Sequence, residues 1–239
     1  MAAVALFGYL STVSPVLASE LVIVDSNIPQ LLPGQVIDSH KALILNAGSH
    51  ISLVDESGKV VKLQGPFSGL VPMEDSGGKD KGVVQALSRL FAPSGPQGSS
   101  WGTFRGAEAL RGEEAPGPPD VWAVSVLRSE AVCLPSGVEP LLWRSSTAAP
   151  LTIILLHLAS GTEATLTFAP GVATASWPGE VVLLDGGVYA IRDEGNQWER
   201  RLSVRFIPAD RDTPMDQAAW MSDMGCIRQA KELVARLSS

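Results

Sequence analysis

After Val121 the chain is cut by turn residues into short apolar runs, about 8 to 12 residues apart. The runs are "VWAVSVL", "AVCLP", "EPLLWRS", "LTIILLHLAS", "EATLTFA", "VATASWP", "VVLLDGGVYAIRD" and "ERRLSVRFIP". Ser136-Gly137, Ser160-Gly161, Pro170-Gly171, Gly186-Gly187 and Gly195-Asn196 separate them. Several of these runs are rich in β-branched residues, which favour strands. The pattern predicts a β-sandwich over residues 121–208. "LTIILLHL" lacks alternation and reads as a central strand, with a buried helix as the alternative that its Ile and Thr content and its stop at Ser-Gly disfavour.

A smaller antiparallel unit is predicted over residues 19–72. "ELVIVDS" is a β-type run, and Pro33-Gly34 marks a turn. In residues 47–69, "AGSHISLVDESGKVVKLQGPFSG", two strands fold around Asp55-Glu56-Ser57-Gly58. Leu43 and Leu45 share one face, and so do Ile51 and Leu53. On the return strand Val61 and Leu63 alternate with Lys62 and Gln64. Gly65-Pro66 ends it, because proline donates nothing to a ladder.

Residues 73–120 read as a linker with one short helix, "VVQALSRLF", whose Val84, Leu87 and Leu90 or Phe91 lie on one side. Its aromatics, Trp101 and Phe104, are expected to pin the strap to a neighbouring unit, with a contact for a partner as the alternative. Residues 209–239 are expected to form a helix or helix pair packed on the sandwich. Thr213 caps it, Pro214 takes the first helical position, and Asp216 stands third after the cap. Ile227, Ala230, Val234 and Leu237 recur on one face, and Gly225 is placed to split the segment.

Residues 1–18 read as a signal peptide, with small residues at Val16 and Ala18 and cleavage after Ala18. The run is short for a membrane span and lacks a basic start; an uncleaved anchor and an apolar first strand are the alternatives. The resulting expectation is a periplasmic or secreted protein with no membrane span after cleavage. The net charge of −7 provides no electrostatic footprint for nucleic acid. The chain has two cysteines, Cys133 and Cys226. An even count in an exported protein favours a bridge, here joining the last helix to the sandwich.

No arrangement for chemistry is legible. The Gly-x-Ser-x-Gly elbow is absent, and His40, His50 and His157 are not at metal-ligand spacing. His157 reads as a core or interface histidine and His50 as a solvated edge residue. Asp55-Glu56, Glu113-Glu114 and Asp193-Glu194 sit on turns or in the linker and are expected to point into solvent. The glycines of "DGGVY" and "SGGKDKG" open no βαβ unit, so no phosphate cradle is expected. No catalytic residue, metal or cofactor is therefore expected. Trp143, Trp177 and Trp198 could stack on sugar rings, although Trp122, Trp143 and Trp177 read first as sandwich core.

Pro33-Gly34-Gln35-Val36 followed by "LILNAGSHISLVDESGKVVKLQGP" resembles the periplasmic FecR-like domain. That resemblance implies a signal-relaying sensor or envelope module and not an enzyme. The second unit is immunoglobulin-like in its strand number. Together these readings describe a mainly β, non-enzymatic envelope scaffold of two modules. It would bind a partner protein or assist a sensor, using a free sheet edge in the first unit. The alternative is a carbohydrate- or peptidoglycan-binding protein using tryptophans of the second module. Oligomeric state is not legible.

Overall fold

The computed structural model describes residues 19–73, 82–92, 118–195 and 197–238. The signal-peptide reading, Trp101, Phe104 and Glu113-Glu114 lie outside them. The protein is mainly β, with two helices at its C-terminal end.

The first unit is built from β1 (Glu20–Ser26), β2 (Val36–Asp38), β3 (Leu43–Leu45), β4 (His50–Val54), β5 (Val60–Gln64) and β6 (Phe67–Gly69). Four strands form an antiparallel sheet in the order β2-β1-β4-β5, and β3 pairs with β6 as a separate ribbon. The residues Leu21, Ile23, Ile51, Leu53 and Leu63 turn to the ribbon and share a core with Leu45 and Val71. The alternate residues Val22, Val24 and Val54 belong to a different core, on the other face. That double burial explains why "LVIV" in β1 shows no polar alternation.

The helix α1 (Val83–Phe91) lies on that second face. Its Val84, Leu87 and Leu90 are buried, as the periodicity predicts, and Val83 is buried with them. Ser88 Oγ donates to the Gly34 carbonyl at 2.6 Å, tying α1 to the Pro33-Gly34 turn.

The second unit has two sheets around one core. β7 (Val124–Ser125), β9 (Leu141–Trp143) and β12 (Thr174–Ser176) form the smaller, in the order β12-β9-β7. β8 (Glu130–Pro135), β10 (Leu151–His157), β11 (Glu163–Phe168), β13 (Val188–Asp193) and β14 (Glu199–Ile207) form the larger, in the order β11-β10-β13-β14-β8. Most pairs are antiparallel, but β14–β8 and β7–β9 are parallel. Ile153, Leu155, Tyr189, Ile191, Leu202 and Val204 face Val124, Leu142 and Trp177 in the shared core. The run "LTIILLH" is an interior strand that does alternate: Ile153, Leu155 and His157 are buried, and Thr152, Ile154 and Leu156 are half-buried. "VVLL", residues 181–184, is loop where a strand was predicted. Its backbone is held by side chains from beneath, as described below.

The chain ends in α2 (Pro214–Asp223) and α3 (Ile227–Ser238), separated at Gly225, whose φ of 83° only glycine adopts readily. Thr213 Oγ1 accepts the Asp216 N–H at 3.1 Å, and Pro214 opens the helix as the sequence indicates. The buried stripe of α3 differs from the one read in sequence. Ile227 is exposed, and the stripe runs through Gln229, Ala230, Leu233 and Val234, continuing from buried Cys226.

These helices do not belong to the sandwich alone. Residues of α1, α2 and α3 share one core with Val22, Val24 and Val54 of the first unit and with Cys133 and Ile207 of the second. The helix α3 reaches both units. At its start Arg228 makes a two-pronged ion pair with Glu130, at 3.0 and 3.1 Å. At its end the Ser238 carbonyl accepts from Ser52 Oγ of β4 at 3.3 Å. The physical reason is α3's partner surface: the second face of β1 and β4 is apolar and needs cover, and the terminal helices supply it with α1.

Candidate functional site

Cys133 and Cys226 form a disulfide, with Cα atoms 5.9 Å apart. Both are buried, one on β8 and the other at the start of α3's stripe. The expected staple between the last helix and the sandwich is therefore present.

The hairpin turn at residues 55–59 is a docking element rather than a solvated loop. Asp55 is buried, and its Oδ1 accepts from Ser57 N, Ser57 Oγ and Lys59 N at 2.6 to 2.9 Å. Glu56 Oε2 accepts the Val84 N–H at 3.4 Å, at the start of α1. Gly58 has φ 80° and abuts Thr213, the cap of α2. The expectation that this carboxylate pair points into solvent fails, because the orphan amides of the turn and of α1 need acceptors there.

The tryptophans divide. Trp143 and Trp177 are only 7% and 8% exposed, so their faces are spent on the core. Trp177 Nε1 also donates to the Val181 carbonyl at 2.6 Å. Trp198 is half-buried, and the Arg200 guanidinium covers its ring at 5.3 Å. The structure does not bring the three rings to one exposed face.

A surface feature lies at the end of the larger sheet, around the β10–β11 turn and the loop before β13. A shallow depression of about 440 Å³ opens there between His157, Leu158, Leu184, Asp185 and Val188. Leu158, Leu184 and Val188 are exposed, and neighbouring Val182 is 61% exposed. These side chains stand on a rigid base. The Tyr189 hydroxyl donates to the Val182 carbonyl at 2.8 Å and accepts the Leu184 N–H at 2.9 Å. The Tyr189 ring packs edge-on against Trp177 at 5.3 Å and lies 4.9 Å from the His157 ring. Burial raises the Tyr189 pKa above the usual tyrosine value, opposed by the Leu184 N–H.

His157 Nδ1 and Ser160 Oγ share a hydrogen bond at 2.9 Å. This resembles a nucleophile beside a base, but Ser160 donates its one proton to Thr162 Oγ1 at 2.9 Å. The imidazole is then the donor to Ser160, and the chain of contacts fastens the turn. His157 itself is buried, as a core histidine. His50 is exposed and lies 3.2 Å from Asp25. Asp193 Oδ1 accepts the Trp198 N–H at 2.8 Å, so this turn carboxylate also serves its own loop.

A second depression, of about 250 Å³, lies between Pro135, Pro208, Arg211 and Gln217. There Arg211 is turned to buried Asp216, at 3.0 Å. Among the described residues no group of three or more His, Cys, Asp and Glu side chains could hold a metal ion. Also among them, no helix is long and apolar enough to cross a membrane.

The rim at Leu184 and the exposed Val182 beside it were missed in sequence because "VVLL" reads as a strand. Tyr189, which pins it, carried no distinguishing signal there. No family model matches the chain, and no match is found among curated proteins.

Proposed function

We propose that the protein is an exported, non-enzymatic scaffold of the cell envelope that holds a partner protein on the apolar rim formed by Leu158, Val182, Leu184 and Val188. The observation that carries this reading is the combination of exposure and rigidity at that rim. Exposed apolar side chains that cluster around a depression are the usual mark of a protein contact. The Tyr189 hydroxyl and Trp177 indole hold the loop backbone from below, so little ordering entropy remains to be lost on binding. The buried disulfide fits an oxidising compartment. The resemblance of residues 33–36 and 43–66 to the FecR-like domain would fit an accessory to an envelope sensor. Of Trp143, Trp177 and Trp198, Trp198 is the one that keeps partial exposure for the sugar-binding alternative.

A photocrosslinking residue at position 182 tests the proposal in the cell of origin. A discrete protein adduct is expected that is absent with the same probe at exposed Asp210. Leu184→Asp should abolish that adduct while leaving the thermal unfolding midpoint in place. Equal labelling at both positions would overturn the proposal. Titration with envelope glycans is expected to leave tryptophan fluorescence unchanged; a saturable shift lost in Trp198→Ala would favour the sugar reading.

A further inference from the structure

We infer that β11 is a self-association edge, on which a second copy of this chain adds its own β11 to make one continuous sheet across a two-fold axis. The larger sheet has two outer strands, β8 and β11. The β8 edge is occupied at its centre, where Gln229 of α3 takes both backbone groups of Cys133. The β11 edge is open. Its six residues pair in unbroken register with β10 on one side and, among the described residues, with no strand on the other.

The register shows which groups are free. His157 N donates to the Thr162 carbonyl, so by alternation Ala164, Leu166 and Phe168 direct their backbone groups toward β10. Glu163, Thr165 and Thr167 therefore direct theirs outward. The usual devices that blunt an edge are missing: β11 has no proline, lysine or bulge within "EATLTF". In an antiparallel pairing centred on Thr165, every outward residue meets an outward residue. Thr165 faces its own copy, and Glu163 faces Thr167. No like charges stand opposite each other, and a threonine pair is a favourable cross-strand contact. On the inner face the half-buried Ala164 and Leu166 would meet Leu166 and Ala164 of the second copy, extending the core. A second copy satisfies all three features at once, which is why it is the occupant chosen. This inference is independent of the rim at Val182.

Sedimentation of the full chain over a concentration series tests it. A monomer–dimer equilibrium is expected, reversible on dilution because one strand pair is a small interface. Thr165→Pro removes only an outward N–H, a position where an edge strand tolerates proline. It should weaken the dimer by at least about tenfold, with unchanged tryptophan emission as proof of folding. Cysteine pairs fix the register. Thr165→Cys should form a covalent dimer alone. Glu163→Cys and Thr167→Cys should cross-link when mixed and not separately. A chain that stays monomeric at every concentration, or a dimer indifferent to Thr165→Pro, would overturn the inference. So would cross-linking in another register.

Discussion

The side-chain amide of Gln229 completes the backbone of Cys133: Oε1 accepts the Cys133 N–H at 2.8 Å, and Nε2 donates to the Cys133 carbonyl at 3.0 Å. The same Nε2 donates to the Val121 carbonyl at 3.0 Å. One buried side chain thus stands in for a missing neighbour strand beside the disulfide. Gln229→Leu keeps the approximate shape and leaves these groups without partners. A loss of roughly 2–4 kcal/mol is expected from the desolvated backbone groups. Urea unfolding measures it, and a change under about 0.5 kcal/mol would show that the contacts are dispensable.

Removal of the disulfide should be felt in both β units. The bond closes a sequence separation of 93 residues, for which the chain-entropy model assigns roughly 4–5 kcal/mol. The helix α3 also covers Val22 and Val24 of β1. In the Cys133→Ala, Cys226→Ala protein, amide exchange should quicken in α3 and in β1 together. Quickening confined to α3 would mean that the first unit does not depend on the helix layer.

Gly58→Ala should destabilise through Thr213. A β-carbon at Gly58 meets Thr213 Oγ1, and the residue has φ 80°. Left-handed backbone costs a non-glycine residue about 1–2 kcal/mol before any contact is counted. A double-mutant cycle with Thr213→Gly should recover part of the loss, since it removes the struck hydroxyl. Strict additivity would separate the turn from the α2 cap.

Arg144 is buried and makes its bonds to carbonyls: Nε to Val172, Nη1 to Ala149 and Nη2 to Ala169, at 2.6 to 2.9 Å. It joins the loops on either side of β10 and β11. Arg144→Met strands three acceptors, so a loss of about 2–4 kcal/mol is expected. Protease susceptibility should rise at residues 145–150 and 169–173. A variant as stable and as resistant as the parent would contradict this role.

Tyr189 should titrate late. Burial raises its pKa above the ordinary value of 10.0. A raised folded-state pKa contributes stability below the unfolded pKa, and that contribution is lost as pH rises through the folded one. Phenolate absorbance, read as the difference from Tyr189→Phe, should therefore appear above pH 10. Unfolding midpoints should fall over the same interval more steeply in the parent than in the variant. Ordinary titration would mean the hydroxyl is not held as described.

Local signals were legible where local physics decides structure. Thr213 and Pro214 predict the start of α2 because a cap satisfies amides a few residues away. Glycine in Ser160-Gly161 and Pro170-Gly171 marks turns because it adopts positive φ, 72° and 80° at Gly161 and Gly171. The run "VVLL" misled because its apolar residues suggest a strand. Several of its backbone groups instead bond the Tyr189 hydroxyl and the Trp177 indole, and such side-chain bonds leave no periodic signal in the sequence. The Asp55-Glu56 pair misled for a similar reason. Polarity in a turn suggests water, and nothing local announces that α1 will bring its own unpaired amide to Glu56.

Sequence alone determined the β class, the turns, the caps and the presence of a cysteine pair, because each depends on conformational preference or composition within a few residues. Tertiary structure alone decided what covers what. The second face of β1, the turn at Gly58 and the edge at Cys133 are all closed by α1, α2 and α3, while β11 stays open among the described residues. Burial of apolar area is non-directional, so an apolar face specifies that it must be covered and not by which element. That choice is made only when distant segments meet with matching shape and with every buried amide and carbonyl satisfied.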